Sequence, residues 1–308
     1  MNTFSAVRRK YLHSLSALAL SAAFSVILGA SAAAQQIPSK LIITAIPDDG
    51  DAERMRENFG ALASYLGEAV GMPVEYMHVE NYAASVTALA TGRAHIAWLG
   101  AVTTAQARMQ MGDDITILGC RDIDKGFVSY FIANPATGVD NVADLAELAT
   151  AADGKSWTFT FGSKSSTSGH MMPRKYFMDQ TGTVPEKVFR TVAYSGSHDV
   201  VMQMVADGTH DVGALNYASW DKASEDLKAR APIVYKTPPY TNYALTARAD
   251  LGPEMLDKLR TALLALDASN EDGAQVLKYL KAGRFIEADI SEWQGYVDLL
   301  ESGIDIGG

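Results

Sequence analysis

Short apolar segments alternate with longer amphipathic ones along most of this chain, and that alternation limits its fold more than any other feature. Leu41 to Ile46 has the length and composition of a strand, whereas Phe59, Leu62, Tyr65 and Leu66 recur at helical spacing within Ala52 to Val70. The same pairing returns as strand Val74 to Val79 with helix Tyr82 to Thr91, and strand His95 to Leu99 with helix Ala101 to Met111. Strands Ile115 to Gly119 and Phe127 to Ala133 follow, then a helix near Val142 to Ala151 and strand Thr158 to Phe161. Helix Met172 to Gln180, strand Val192 to Tyr194, helix Asp199 to Asp207 and strand Val212 to Leu215 continue the pattern. Parallel α/β layers are the expected architecture.

Two interruptions divide the alternation. Ile233 to Thr246 contains Pro238 and Pro239, which disfavour a central strand and suit a stiff connection. The segment Cys120 to Phe127 is a polar break between two strands. Taken as crossings, it and Thr237 to Tyr243 divide the chain into a discontinuous lobe 1 (35–122 and 240–308) and a continuous lobe 2 (123–239). The last part is mainly helical, at Pro253 to Leu266 and Asp272 to Lys281. In such an arrangement a ligand belongs in the cleft between lobes, at strand C-terminal ends and helix N-termini.

Residues 1–34 read as a cleavable secretory signal peptide. Arg8, Arg9 and Lys10 form its basic start, Leu15 to Leu28 is its apolar stretch, and Ala32-Ala33-Ala34 offers a small-residue cleavage site. No cysteine stands at that site to carry a lipid, and the alanine-rich style points to a bacterial periplasm. No later segment has the roughly 18 uninterrupted apolar residues that a membrane-spanning helix needs. Removal leaves 274 of 308 residues, enough for two lobes, and takes the formal net charge from −10 to −13. That acidity argues against nucleic acid or anionic lipid as partners, yet a local cluster of dipoles still suffices to hold a small anion.

The run F-G-S-K-S-S-T-S-G-H, Phe161 to His170, supplies such a cluster. Four serines and a threonine lie between a strand and a helix, where unpaired N–H groups and the helix dipole favour an oxyanion. An ordinary N-cap would account for one of those hydroxyls. Neither a nucleophile elbow nor an acidic partner for Ser166, His170 or His198 is present, so hydrolase chemistry is not expected. His198-Asp199 and His210-Asp211 lack metal-ligand spacing, and no cofactor is implied. The twelve methionines suit core filling and Trp98 suits the floor of a cleft; Asp48 and Asp49 end the first strand near the expected cleft, where they read as a solvated turn, the alternative being contact with an N–H or a bound cation. Cys120, the only cysteine, is either a buried small residue or a thiol set at a crossing.

Three segments carry a family resemblance: Tyr82 to Gly100 (Y-A-A-S-V-T-A-L-A-T-G-R-A-H-I-A-W-L-G), Ser165 to Arg174 (S-S-T-S-G-H-M-M-P-R) and Tyr194 to Val201 (Y-S-G-S-H-D-V-V). The chain resembles the PhnD-like phosphate/phosphite/phosphonate periplasmic binding proteins, which implies a type II periplasmic binding protein closing two lobes on a small oxyanion. On that resemblance Ser166, Thr167 and Ser168 match the helix N-terminal contacts, and Tyr82 and His198 the opposing ones, His198 gaining charge as pH falls. Ala218 stands where aminoethylphosphonate-binding members carry an acidic residue, which disfavours an amino-substituted ligand. The segment Thr237 to Arg248 and the later G-R-F-I resemble the branch of putative selenate-binding proteins. Arsenite-sensing relatives use one cleft cysteine, so the most specific expectation is arsenite sensing through Cys120 and the Ser166-Thr167-Ser168 cradle. Uptake of phosphite, phosphonate, phosphate or selenate is the alternative. The implied partner is an ABC permease or the periplasmic domain of a sensor histidine kinase.

Overall fold

The computed structural model describes residues 38–269 and 271–303, so the expected leader lies outside the described residues. Strands β1 (Leu41–Ala45), β2 (Val74–Met77), β3 (Ile96–Leu99) and β4 (Ile115–Arg121) start a first sheet, with helices α1 (Ala52–Val70), α2 (Tyr82–Ala90) and α3 (Ala101–Met111) between them. The second sheet holds β5 (Ser129–Ala133), β6 (Thr158–Phe161), β7 (Thr191–Tyr194), β8 (Val212–Asn216) and β9 (Ile233–Lys236). Its helices are α4 (Leu145–Ala152), α5 (Met172–Thr181), α6 (Pro185–Val188), α7 (His198–Ala206), α8 (Tyr217–Asp221) and α9 (Glu225–Arg230). The chain then returns to the first half through β10 (Ala244–Arg248), α10 (Pro253–Leu264), α11 (Glu271–Leu280), β11 (Phe285–Ile286) and α12 (Gln294–Glu301).

Strand order is β11-β4-β10-β3-β1-β2 in one sheet and β7-β6-β8-β5-β9 in the other. The expected α/β architecture holds, but the sheets are mixed rather than parallel. β1 pairs in parallel with β2 and β3, whereas β10 is antiparallel to β3 and β4. Likewise β6 is parallel to β7 and β8, while β5 is antiparallel to β8 and β9. The physical reason lies in the connections. β5 and β10 enter their sheets straight from a crossing, without the covering helix that fixes strand direction in a right-handed βαβ unit.

Local sequence explains the helices that flank the cleft. Asp51 caps α1 by accepting from Glu53 and Arg54 N–H, and Gly71 closes it in the left-handed conformation at φ +73°. Met55, Phe59, Leu62 and Leu66 form the buried face of α1. Burying each such side chain contributes about 1.5–3 kcal/mol. The two crossings are hydrogen-bonded to each other. Phe127 N–H donates to Tyr240 C=O and Tyr240 N–H to Phe127 C=O, both at 2.9 Å, and Asn242 N–H donates to Asp124 C=O at 2.9 Å.

Candidate functional site

Ser166 begins a π-helical turn, Thr167–Met171, that runs directly into α5. Its hydroxyl accepts from Gly169 N–H at 2.9 Å, so the ordinary N-cap, the alternative to an anion cradle, is present at this one residue. Met171 N–H reaches back to Ser166 C=O at 3.0 Å, and Gly162 N–H donates to Gly169 C=O at 2.9 Å, pinning the turn to the end of β6. Turns of this kind are wider than an α-turn and recur at functional sites. Glycine is required at 169 by close approach: a Cβ there would lie 2.8 Å from His198 Cε1 and 3.0 Å from Ser166 Oγ. Ser166 and the His198 ring therefore pack on the same backbone.

The Thr167 hydroxyl reaches the first sheet's half, and the Ser168 carbonyl is tied to β5 and the second crossing. Thr167 Oγ1 accepts from Val102 N–H, in the first turn of α3, at 2.9 Å. Ser168 C=O accepts from Ser129 Oγ at 2.7 Å, and Ser129 Oγ is 2.5 Å from Tyr240 Oη on the second crossing. The three cradle residues are at most 2 % exposed.

His198 and Tyr82 supply buried donors without protein acceptors. Asn216 N–H donates to His198 Nδ1 at 3.2 Å, which leaves the proton of the neutral ring on Nε2. Burial, followed by the Lys222 charge, pushes the His198 pKa down to about 3, so the imidazole is neutral at physiological pH. This corrects the expectation that His198 charges near its ordinary pKa: its ring is 0 % exposed and the cation would be desolvated. Nε2 is buried and makes no hydrogen bond, and the same holds for Tyr82 Oη at the start of α2. Burial and then the Asp48 charge hold the Tyr82 phenol well above its ordinary pKa, partly offset by the nearby Ser166 hydroxyl. His170, by contrast, is satisfied through Lys164 C=O and Tyr194 Oη.

Next to this cluster is a cavity of about 100 Å³ walled by residues of both sheets, among them Asp48, Trp98, Arg121, Asn216, Ala218 and Tyr243. Trp98 stacks on Tyr243 with centroids 5.4 Å apart, and the Arg121 guanidinium lies 5.0 Å and 4.9 Å from their ring centroids. Arg121 is held by Asp124 through two hydrogen bonds, at 2.8 and 2.6 Å, and by Leu280 C=O. Asp48 accepts from Tyr243 Oη at 3.0 Å, and burial raises its pKa to about 6. Asp49 pairs with Arg54 and Lys222. The solvated-turn expectation for these two aspartates is thus corrected, because the β1 end folds into the seam between the halves.

Cys120 is placed elsewhere. The strand expected to end at Gly119 continues to Arg121, and Cys120 pairs with Ile286 of β11. Because side chains alternate along a strand, Arg121 facing the cavity sends Cys120 to the opposite face, where it is 0 % exposed within the apolar core. Burial, with the Asp124 charge next, pushes its thiol up to about 12, so a reactive thiolate is disfavoured. The structure gives no support to arsenite recognition through this residue. Asn242 was missed by sequence reasoning altogether. It is 1 % exposed, its Oδ1 accepts from Ala101 N–H at 3.4 Å, and its Nδ2 has no partner. No local motif marks it, since its surroundings exist only once the second crossing lies against α3.

Two α/β halves joined by paired crossings, with neutral buried donors gathered where they meet, define a two-lobed solute-binding protein. Residues 43–293 match the family of ABC transporter, phosphonate, periplasmic substrate-binding proteins, and the chain belongs to that family. It is 32% identical over 271 residues to the probable ABC transporter phosphite binding protein PhnD1 of Prochlorococcus marinus, covering 85% of this chain and 89% of that one. The phosphate-import protein PhnD of Mycolicibacterium smegmatis is 27% identical over 253 residues, covering 78% and 75%. The solved structure of Prochlorococcus marinus PhnD1 with methylphosphonate superposes with a TM-score of 0.80 at 31% identity, covering 86% of this chain and 98% of that one. These relatives are binding proteins, and they favour the transport alternative over arsenite sensing.

Proposed function

We propose that the protein captures a small tetrahedral phosphorus oxyanion, namely phosphite, phosphate or a small phosphonate such as methylphosphonate, in the periplasm and delivers it to an ABC permease. The observation that carries this reading is the pair of buried donors, Tyr82 Oη and His198 Nε2, left without acceptors beside the Ser166–Ser168 turn. An unsatisfied buried polar group costs about 1–3 kcal/mol, and an oxyanion satisfies several at once. The donors are uncharged, so ligand oxygens are bound by hydrogen bonds and helix dipoles rather than by ion pairing. The names of the relatives supply the phosphorus chemistry. Residues 1–34 serve as the export signal, and 35–122 with 240–308 closes on 123–239 around the ligand.

Tyr82→Phe tests the assignment, because it removes only the unsatisfied hydroxyl. The ligand-free protein should melt at the same or a higher temperature, while affinity for the preferred oxyanion falls about tenfold or more. Calorimetric titration with phosphite, phosphate, methylphosphonate, selenate and arsenite, paired with thermal melts, reads both effects. Unchanged affinity in Tyr82→Phe removes this tyrosine from the site, and tight binding of arsenite alone overturns the ligand class.

A further inference from the structure

We infer that Asn242, on the second crossing, is itself a ligand-binding residue, its side-chain amide donating to the same oxyanion as the Ser166–Ser168 turn; this rests on the functional reading above. Two successive N–H groups in the first turn of α3 are taken by side chains from different parts of the chain. Ala101 N–H goes to Asn242 Oδ1 and Val102 N–H to Thr167 Oγ1. Both acceptors lie against Gly100: a Cβ added there would stand 3.1 Å from Thr167 Oγ1 and 3.3 Å from Asn242 Oδ1. Asn242 is therefore beside the cradle, not merely in its vicinity.

The orientation of the amide follows from chemistry. Ala101 N–H requires an acceptor, so the oxygen faces α3 and Nδ2 carries both donor hydrogens away from it. Nδ2 is buried and has no protein partner, as are Tyr82 Oη and His198 Nε2. These three unsatisfied donors come from α2, from α7 and from a crossing, that is from the first sheet's half, the second sheet's half and the connection between them. One small acceptor-rich ligand explains all three. A hinge residue that touches the ligand also links binding to closure, because Asn242 N–H is held by Asp124 C=O on the other crossing and its C=O by Trp293 Nε1 at 2.8 Å.

Asn242→Asp separates this role from a structural one. The introduced carboxylate keeps an oxygen for Ala101 N–H and sits at the positive end of α3, which offsets part of the cost of burying it, so the ligand-free variant should still fold, with a thermal melt read beside each titration. It loses the donor and repels the anion, so affinity for methylphosphonate and phosphite should fall on the order of tenfold to a hundredfold. Wild-type affinity in this variant overturns the inference. Should the variant fail to fold, nitrogen-15 spectra of the native protein decide: the assigned Asn242 side-chain amide signals should shift on saturation with methylphosphonate, and signals that stay in place refute the contact. If the native protein binds none of these oxyanions, the functional reading fails first and independently of Asn242.

Discussion

His198 shows how a single residue's environment sets its chemistry. Burial pushes its pKa to about 3, and that of His170 to about 4, from the ordinary 6.5, with Lys222 the second cause for His198. Below pH 6.5 the unfolded chain takes up protons that the folded one refuses, so stability present above that pH is lost as pH falls toward 3. The Asp48 carboxyl, raised by burial from 3.8 to about 6, acts in the opposite sense: its stabilisation is present below 3.8 and lost as pH rises toward 6. Burial also lowers His95 and His210 and raises Asp124 and Asp199; the four histidines outweigh the three carboxyls, so the melting temperature of the ligand-free protein should be lower at pH 4.5 than at pH 7.5. A higher melting temperature at the acid end would mean that the buried carboxyls outweigh the histidines. Sequence offered His198 as a donor that gains charge near its ordinary pKa; burial moves that protonation far lower, since desolvation depends on residues far away in the chain.

At the level of elements, the π turn after β6 is the part whose geometry admits least change. Gly169 lies against both Ser166 and His198, so one added methyl has no space without parting the two. Gly169→Ala should cost about 1–3 kcal/mol of stability through overpacking. It should also weaken oxyanion binding, measured by calorimetry at a temperature where the variant is fully folded. Retained affinity would show that the turn and the α7 N-terminus bind independently. The hydroxyl-rich composition of this turn was legible in sequence, as was the helix that follows it. Its π geometry was not, because Gly162 must first supply the strand end to which Gly169 is tied. Short α6, α8 and α9, two-residue β11 and α12 also escaped the pattern, lacking the length over which a period can be read.

Across the whole molecule, charged side chains join the halves at the rim of the seam. Lys222 reaches Asp49 across the seam at 2.9 Å and Asp199 of its own half at 3.6 Å, and Arg54 approaches Asp199 across the seam at 3.8 Å. Lys281 Nζ donates to Ala218 C=O at 2.6 Å. These groups are partly solvated, and exposed pairs contribute only about 0–1 kcal/mol each. Lys222→Met should therefore leave the melting temperature nearly unchanged while lowering ligand affinity a few-fold at low salt, as closure loses its ionic contacts. The difference should shrink at high salt, where screening weakens the native pairs as well. A deficit independent of salt would show that Lys222 does not act through closure. No helix among the described residues is long and apolar enough to cross a membrane.

The alternation of strands and helices and the hydroxyl-rich helix start after β6 were readable from local sequence, because periodicity, proline placement and capping composition are properties of short segments. α1, α3 and β6 have the boundaries their sequence implies. Tertiary structure decided the rest. It turned β5 and β10 antiparallel, sent Cys120 into the core by extending β4 through Arg121, and brought Asp48 into the seam. It also set Asn242 beside Thr167, two residues 75 positions apart, against the first turn of α3. Burial and partner choice are relations between distant segments, and no stretch of sequence carries them until the crossings have brought the halves together.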